Sequence, residues 1–415
     1  VSWVEHAVLW HVYPLGFVGA PVRDAADPGV AHRLPRLTAW LDYAVELGAS
    51  GLSLGPVFAS TSHGYDSTDQ FRVDPRLGTE EDLDDLLAAC RRRGLRVVLD
   101  GVFNHVGDRH PFYLEALRDG PGSRYADFFR IDFDAPGGPR AADFEGHGSL
   151  VALNHASPAV AQYVTSVLTH WLERGVDGWR LDAAYAVDPG FWRAVLPPVR
   201  ERHPDAWFVG EVIHGDYAGF VEESGVDSVT QYELWKAVWS ALSERNFFEL
   251  DWTLRRHAEF LGRFLPHTFV GNHDVTRIAS RVGGPGAVLA LVVLMTTGGV
   301  PAVYYGDEQG FTGVKEDRLG GDDAVRPAFP PDPAQLSGLG EWLHRSHQQL
   351  IGLRRRHPWL VRARTEAVEL ANTRYVYRAR AEDGPEFLTV ELDLTAGARA
   401  VVSGASGEEL FRYEA

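Results

Sequence analysis

The chain has 415 residues, 45% of them hydrophobic, which is enough for one large core and a smaller satellite. Its 57 Asp and Glu outweigh 40 Lys and Arg, and the formal net charge of −17 sets aside nucleic acid and anionic membrane as expected partners. The single cysteine, Cys90, rules out an intrachain disulfide.

Taken in chain order, the opening Val1-Ser2-Trp3-Val4-Glu5-His6 lacks the basic region and apolar block of a signal peptide, so a cytoplasmic protein is expected. Hydrophobic patterning predicts a strand over 8–13, a helix over 34–47, a buried strand over 51–54 and a helix over 80–93. That last helix carries acids in its first turn and Arg91-Arg92-Arg93 at its end, as the helix dipole favours. Cys90 falls on its apolar face and reads as a small core residue. Gly94 stops the helix, and 95–99 is the third strand. Residues 106–157, rich in Gly, Pro and Asp, read as a short excursion from that strand. A helix over 158–174 follows, with Ser157 placed as its cap. Further strands are predicted over 176–181, 207–209, 226–229, 268–270 and 302–304, which makes eight. The longest apolar run, Ala287 to Met295, is too short to cross a bilayer. Eight strands alternating with helices predict an α/β fold, a (β/α)8 TIM barrel over 1–357. After His357-Pro358 the alternation has period two, which predicts a small antiparallel β domain over 358–415.

Four strand-like runs end in polar residues: Val97-Val98-Leu99-Asp100 leading to Asn104-His105, Gly178-Trp179-Arg180-Leu181-Asp182, Phe208-Val209-Gly210-Glu211, and Phe269-Val270-Gly271-Asn272-His273-Asp274. On a barrel all four lie on the rim where active sites form. Clustered buried carboxylates repel one another, and chemistry is the reason to keep them. Glycosidic cleavage needs a proton donor for the leaving oxygen and a carboxylate facing the anomeric carbon. Short Asp182 suits a fixed nucleophile, and longer Glu211 can reach a leaving group. Arg180, two residues before Asp182 on a strand, points to the same side and favours its charged form. Asp274 can oppose the charge of an oxocarbenium-like transition state. His105 and His273 can donate to sugar hydroxyls, while Asp100 and Asn104 can support the loop beneath them. The aromatic content, 11% with 12 Trp, suits sugar faces, although most such rings belong to the core.

These four stretches resemble the motif regions of the alpha-amylase family of retaining glycoside hydrolases, and the barrel motifs are most similar to its neopullulanase/cyclomaltodextrinase-like and alpha-glucosidase branches. His63-Gly64-Tyr65-Asp66-Ser67-Thr68-Asp69 resembles the family's loop after the second strand, and Gly298 to Glu308 its eighth-strand segment. The resemblance implies Asp182 as nucleophile, Glu211 as general acid/base and Asp274 as transition-state stabiliser. It implies Tyr65, Asp66, His105, Arg180, His273 and Arg326 as substrate-side residues, with Asp100 and Asn104 in support. It also implies hydrolysis of α-glucosidic bonds in malto-oligosaccharides or related α-glucans. Transglycosylation or sugar isomerisation on the same barrel stands as the alternative. In many members an acidic residue from the excursion joins the Asn104 position in binding calcium. Here Ala152 takes that place before Leu153-Asn154, and Asp127, Asp132, Asp134 and Asp143 lack a regular ligand spacing. No cofactor or metal is expected to be required, and calcium stays open. The segment Asp182-Ala183-Ala184-Tyr185 lacks the Lys-His pair of starch-cleaving amylases, so the acceptor side is expected to differ. An α-linked oligosaccharide is the expected partner. Linkage, exo or endo action and oligomeric state are open.

Overall fold

A computed structural model describes residues 2–23 and 29–415; Val1 of the opening segment and 24–28 of the barrel lie outside the described residues. Eight strands form one parallel sheet: β1 (Leu9–Val12), β2 (Gly51–Leu54), β3 (Arg96–Val102), β4 (Gly178–Asp182), β5 (Trp207–Gly210), β6 (Ser228–Val229), β7 (His267–Phe269) and β8 (Val300–Tyr304). Their order is β6-β5-β4-β3-β2-β1-β8-β7. The ring closes between β6 and β7 through a parallel bridge of Thr230 with His267 and a 2.9 Å bond from Gln231 N to His267 O. This is the (β/α)8 barrel expected. Valine and leucine fill β2, β3 and β8 because parallel strands under helices are buried on both faces.

Local chemistry accounts for most element ends. The helix Glu80–Arg92 begins with a capping box, in which Thr79 accepts from Asp82 N and Asp82 accepts from Thr79 N. Cys90 is buried on it. Two local expectations give way. The helix expected over 34–47 is two, Leu34–Thr38 and Leu41–Leu47. Trp40 between them is held in a turn (φ −99°, ψ 0°), with its indole Nε1 donating to Pro330 O at 3.1 Å. Ser157 stands at the N-cap of Pro158–Glu173, but its hydroxyl makes no cap bond, and Pro158 supplies the helical φ instead.

The excursion after β3 is built on the rim itself. His105–Gly107 pairs antiparallel with His147–Ala152, which pairs with Asp143–Phe144. A third layer is the five-stranded antiparallel sheet of β9 (Arg364–Leu370), β10 (Arg374–Arg380), β11 (Phe387–Asp393), β12 (Arg399–Ser403) and β13 (Glu409–Glu414). It packs on helices Phe248–Leu261 and Ile278–Thr296, with Tyr375 OH donating to Asp251 at 3.0 Å and Tyr377 OH meeting Thr296 Oγ1 at 2.6 Å.

Helix Ile278–Thr296 is, by length and composition, long and apolar enough to cross a membrane, which the shorter run Ala287–Met295 did not suggest. Every residue from Gly286 to Thr296 is buried, and the helix is kinked at Gly283 (φ 71°, ψ 167°) before Pro285. Packing between the barrel and the third layer accounts for its apolarity.

Behind β8, a second set of buried ions fixes the strand's exit. Arg277 donates to Asp307 at 2.9 Å and to the carbonyls of Tyr305 and Val325. Glu308 accepts from Gly306 N and Tyr43 OH, both at 2.9 Å. Burial pushes Glu308 up to about 7. The native state therefore keeps a proton that the unfolded chain releases, so this group's contribution falls as pH rises from the ordinary carboxylate range through 7. We predict that Glu308→Gln, which places an amide donor toward Tyr43 OH, gains relative to wild type by about 2 kcal/mol between pH 5 and pH 8. Urea unfolding at the two pH values measures it. An unchanged difference would remove Glu308 as a native proton carrier.

Candidate active site

All the strand-end polar residues gather at the carboxyl end of the barrel. Arg180 points inward from β4 and is buried. Its Nη1 donates to both oxygens of Asp100 at 2.7 and 2.8 Å and to Asp182 Oδ1 at 3.1 Å. Its Nη2 lies 2.6 Å from Glu211 Oε1. One guanidinium thus faces three carboxylates from β3, β4 and the end of β5. The parallel register sets this up, because Arg180 pairs with Asp100 on one side and with Val209 on the other.

Glu211 is held from two more directions. Ala183 N donates to Oε2 at 2.9 Å, and Tyr232 OH donates to Oε1 at 3.2 Å. The Tyr232 hydroxyl in turn accepts from Asn272 Nδ2 at 2.9 Å. Ala183 has a left-handed backbone (φ 46°, ψ 36°), which turns its N–H onto Glu211 directly after Asp182. Gly210 keeps the strand close to that turn, since a Cβ there would stand 3.2 Å from Ala184 Cβ.

The network continues through the second-strand loop. Tyr65 OH donates to Asp100 Oδ2 at 2.9 Å and is hydrogen-bonded to His273 Nε2. His273 lies 3.0 Å from Asp274 Oδ2, and Arg326 Nη2 donates to Asp274 Oδ1 at 2.9 Å. Glu211, Arg180, Asp100, Tyr65, His273, Asp274 and Arg326 therefore form one continuous chain of polar contacts, with Asp182 joined to it at Arg180. Asp274 is its most open carboxylate, with 31% of its side chain exposed against 10% for Asp182 and 9% for Glu211.

The electrostatics differ along that chain. Burial first, then the neighbouring Glu211 charge, pushes Asp182 well above the usual carboxylate range, and Arg180 offsets only part of this. Asp100 is raised as well, by burial against the same Arg180. At Asp274 burial again opposes charge, but His273 and Arg326 overcome it and hold the carboxyl well below its usual value. At Asp100 and Asp182 the site is therefore short of cations, and these carboxyls are harder to ionise. Asp274 stays ionised.

The remaining sequence candidates lie at varying distance from this chain. His105 is buried, bonded through Nδ1 to Asn104 Nδ2 at 3.0 Å, and stacked on Phe144 at 4.9 Å. Burial lowers it to about 4, so it is neutral near pH 7. Asp66 turns away into its own loop, accepting from Ser62 N at 3.1 Å and Ser62 Oγ at 2.6 Å. Its carboxylate serves the turn that presents Tyr65. Arg326, in addition to Asp274, donates to His273 O at 3.0 Å and lies over the Tyr13 ring at 4.7 Å. It lies inside the site and also pairs with the partly exposed Asp322 at 3.3 Å.

Sequence reasoning missed several partners. Tyr232 and Asn272 orient Glu211. Tyr13 stacks parallel to His273 at 6.1 Å, and His11 meets the same ring edge-on at 5.1 Å. Asn272 stood inside a quoted motif without a role. Tyr13 and His11 sit in and just after β1, where inward alternation from the strand was the only available signal.

Near the candidate calcium position the amide nitrogens of two asparagines are engaged. Asn104 Nδ2 serves His105, and Asn154 Nδ2 donates to Asp127 O and Oδ1 at 3.0 and 3.3 Å. Among the described residues, no group of three or more His, Cys, Asp and Glu could hold a metal ion.

Comparison with known proteins agrees with this geometry. Residues 32–336 match the alpha-amylase family (Alpha amylase, catalytic domain). The chain is 33% identical to neopullulanase 2 of Thermoactinomyces vulgaris over 87% of its own length and 64% of that protein. It is 32% identical to a cyclomaltodextrinase of Geobacillus thermopakistaniensis over 86% of its length and 63% of that protein, so it spans just under two thirds of these relatives. Among solved structures, the cyclic alpha-maltosyl-(1→6)-maltose hydrolase of Arthrobacter globiformis superposes with a TM-score of 0.84 at 26% identity, covering 100% of both chains.

The Arg180 geometry makes a prediction that stands apart from any activity. Arg180→Ala leaves Asp100, Asp182 and Glu211 buried together without their cation, which should destabilise the fold by about 3–5 kcal/mol at pH 7. The loss should shrink toward pH 5, where carboxyls raised further by the missing cation take up protons. Denaturant unfolding at both pH values checks it. A loss that is independent of pH would contradict the shared-cation reading.

Proposed function

The chain belongs to the alpha-amylase family, and on that premise we propose that it hydrolyses α-glucosidic bonds in malto-oligosaccharides and related α-glucans with retention of configuration. The observation that carries the mechanism is the common guanidinium. Asp182 and Glu211 both bond to Arg180, through Nη1 and Nη2, which keeps the two carboxyls close together. Retaining enzymes need a separation of about 5–5.5 Å, whereas inverting ones leave room for a water between the pair.

Asp182 attacks the anomeric carbon from the face opposite the leaving oxygen. Arg180 Nη1 holds one of its oxygens and leaves the other for attack. Glu211 delivers the proton. Its Oε2 receives only the Ala183 N–H among the hydrogen bonds of the site, and so has a lone pair left to carry the proton to the leaving oxygen. Asp274, kept ionised by His273 and Arg326, faces the developing positive charge. Water, deprotonated by Glu211, then releases the sugar. The work of bond cleavage is done by these side chains. An intracellular location belongs to the same reading and is supported by similarity, at 28% identity, to the intracellular maltogenic amylase of Bacillus subtilis.

The test uses α-glucosyl fluoride with azide. Asp182→Ala and Glu211→Ala should each lower turnover of maltotriose by roughly 10³-fold or more. Azide should rescue Asp182→Ala to the β-glucosyl azide, because it takes the place of the nucleophile. It should rescue Glu211→Ala to the α-glucosyl azide, because it attacks the covalent intermediate. Interchanged products would reverse the two roles, and near-normal activity in either variant would end the assignment. Products larger than the substrate from wild type would move the reaction from hydrolysis to transfer.

Metal removal gives a second prediction. Dialysis against EDTA should leave both turnover and melting temperature unchanged. A melting point several degrees lower, restored by calcium, would show that the fold holds a calcium ion and overturn the expectation.

A further inference from the structure

The excursion hairpin crosses the rim above the site. Its tip, Phe144-Glu145-Gly146, turns with positive φ at both Glu145 (53°) and Gly146 (83°), the backbone of a tight hairpin turn in which asparagine and glycine are the usual residues. Phe144 lies on His105, at the end of β3. Glu145 reaches the next loop, where its Oε1 accepts from Tyr185 OH at 2.8 Å. Tyr185 belongs to the turn after Asp182, and its backbone N donates to Glu211 O at 3.1 Å. The hairpin thus spans from the β3 loop to the turn that holds the proton-donating carboxyl.

The two sides of the site are unequal. Beside Arg326, Tyr13 and His63, a cavity of about 690 Å³ lies open between the loops after β1 and β8. On the Glu211 side, the Glu145–Tyr185 bond joins the two walls. Glu211 protonates the leaving oxygen, so the joined side is where the departing sugar must lie.

Resting on the reading of the site as an α-glucosidic hydrolase, we propose that Glu145 and Tyr185 form a clasp across the leaving-group side that selects short α-linked oligosaccharides over long glucan chains. The closed bond limits how far a chain can extend beyond the cleaved linkage, so internal cuts in a long glucan need the bond to open. Glu145 is exposed; Tyr185 is partly buried, with its ring packed against the edge of the core. The clasp is a specificity device. The bond chemistry stays with Asp182, Glu211 and Asp274.

The experiment compares initial rates on maltotriose and amylose for wild type, Glu145→Ala, Tyr185→Phe, the double variant and Glu145→Gln. Each single variant should raise the amylose-to-maltotriose ratio of kcat/KM by roughly three- to tenfold, the range of one lost hydrogen bond. The double variant should go no further, because both changes break the same contact. Glu145→Gln keeps an acceptor oxygen for Tyr185 and should hold the wild-type ratio. A merely structural role would lower both rates together, and ratios unchanged in both single variants would overturn the clasp. The wild type's own cleavage of maltotriose separates the two levels. Its absence would remove the functional reading and the clasp with it, whereas its presence with unmoved ratios would remove the clasp alone.

Discussion

Everything at the mouth of this barrel depends on one buried guanidinium serving three carboxylates. Two unit charges about 4 Å apart interact by roughly 4 kcal/mol at an effective dielectric of 20, so Arg180 can neutralise one carboxylate well but not three. The surplus charge has two outlets, solvent and protons. Burial of Asp100, Asp182 and Glu211 closes the first. Burial accordingly pushes Asp182 and Asp100 above the usual carboxylate range. Asp274 makes the contrast. It has Arg326 and His273 of its own and a more open flank, and it stays ionised. Acid and stabiliser differ in their supply of cations more than in their chemical type.

That division was only partly legible in the sequence. The eight strands stood out because doubly buried parallel strands are short runs of Val, Leu and Phe between turn residues, a strictly local signal. Arg180 and Asp182 could be placed on one face because a strand alternates with period two. The partners that tune the carboxylates come from distant elements. Tyr232 reaches Glu211 from the helix after β6, and Tyr13 covers His273 and Arg326 from the loop after β1. Nothing in the periodicity of either segment names those contacts. Asp66 shows the converse. It stands beside Tyr65 in a functional loop and looks like a ligand, yet a serine four residues earlier consumes its carboxylate. The broken helix around Trp40 and the idle hydroxyl of Ser157 have the same origin, since a tertiary bond or a following proline overrode the local preference.

A second ring of buried ions lies behind the first. Arg277, Asp307 and Glu308 occupy the turn after β8, and Gly271 brings the Asn272-His273-Asp274 segment close enough to Asp307 that a Cβ there would collide with its carboxylate. The position of Asp274 is thus set from beneath by a charged turn as well as from beside by Arg326. Burial raises Asp307 to about 6 and Glu308 to about 7, so this support also carries protons at moderate pH. The same strain that prepares the reactive carboxylates is repeated in the scaffold that aims them. Such a site has to be built on a large core, and the apolar helix Ile278–Thr296, clamped between the barrel and the third layer, supplies part of it.

The rim residues differ in how much freedom they have. Those in the polar chain from Glu211 to Arg326 each satisfy two or more neighbours, so changing one strands a buried charge or donor. The side-chain polar groups of Glu145 and Tyr185 meet at the rim, outside that chain, and the hydroxyl or carboxylate can be removed without stranding a buried charge. The hairpin that carries Glu145 is nevertheless anchored to the strand of His105, so a shift at its tip is felt beside the reacting bond. Bond chemistry is therefore held by the over-determined interior. The choice of leaving chain rests on a contact that is cheap to alter and well placed to matter, which is where members of one barrel family have room to diverge.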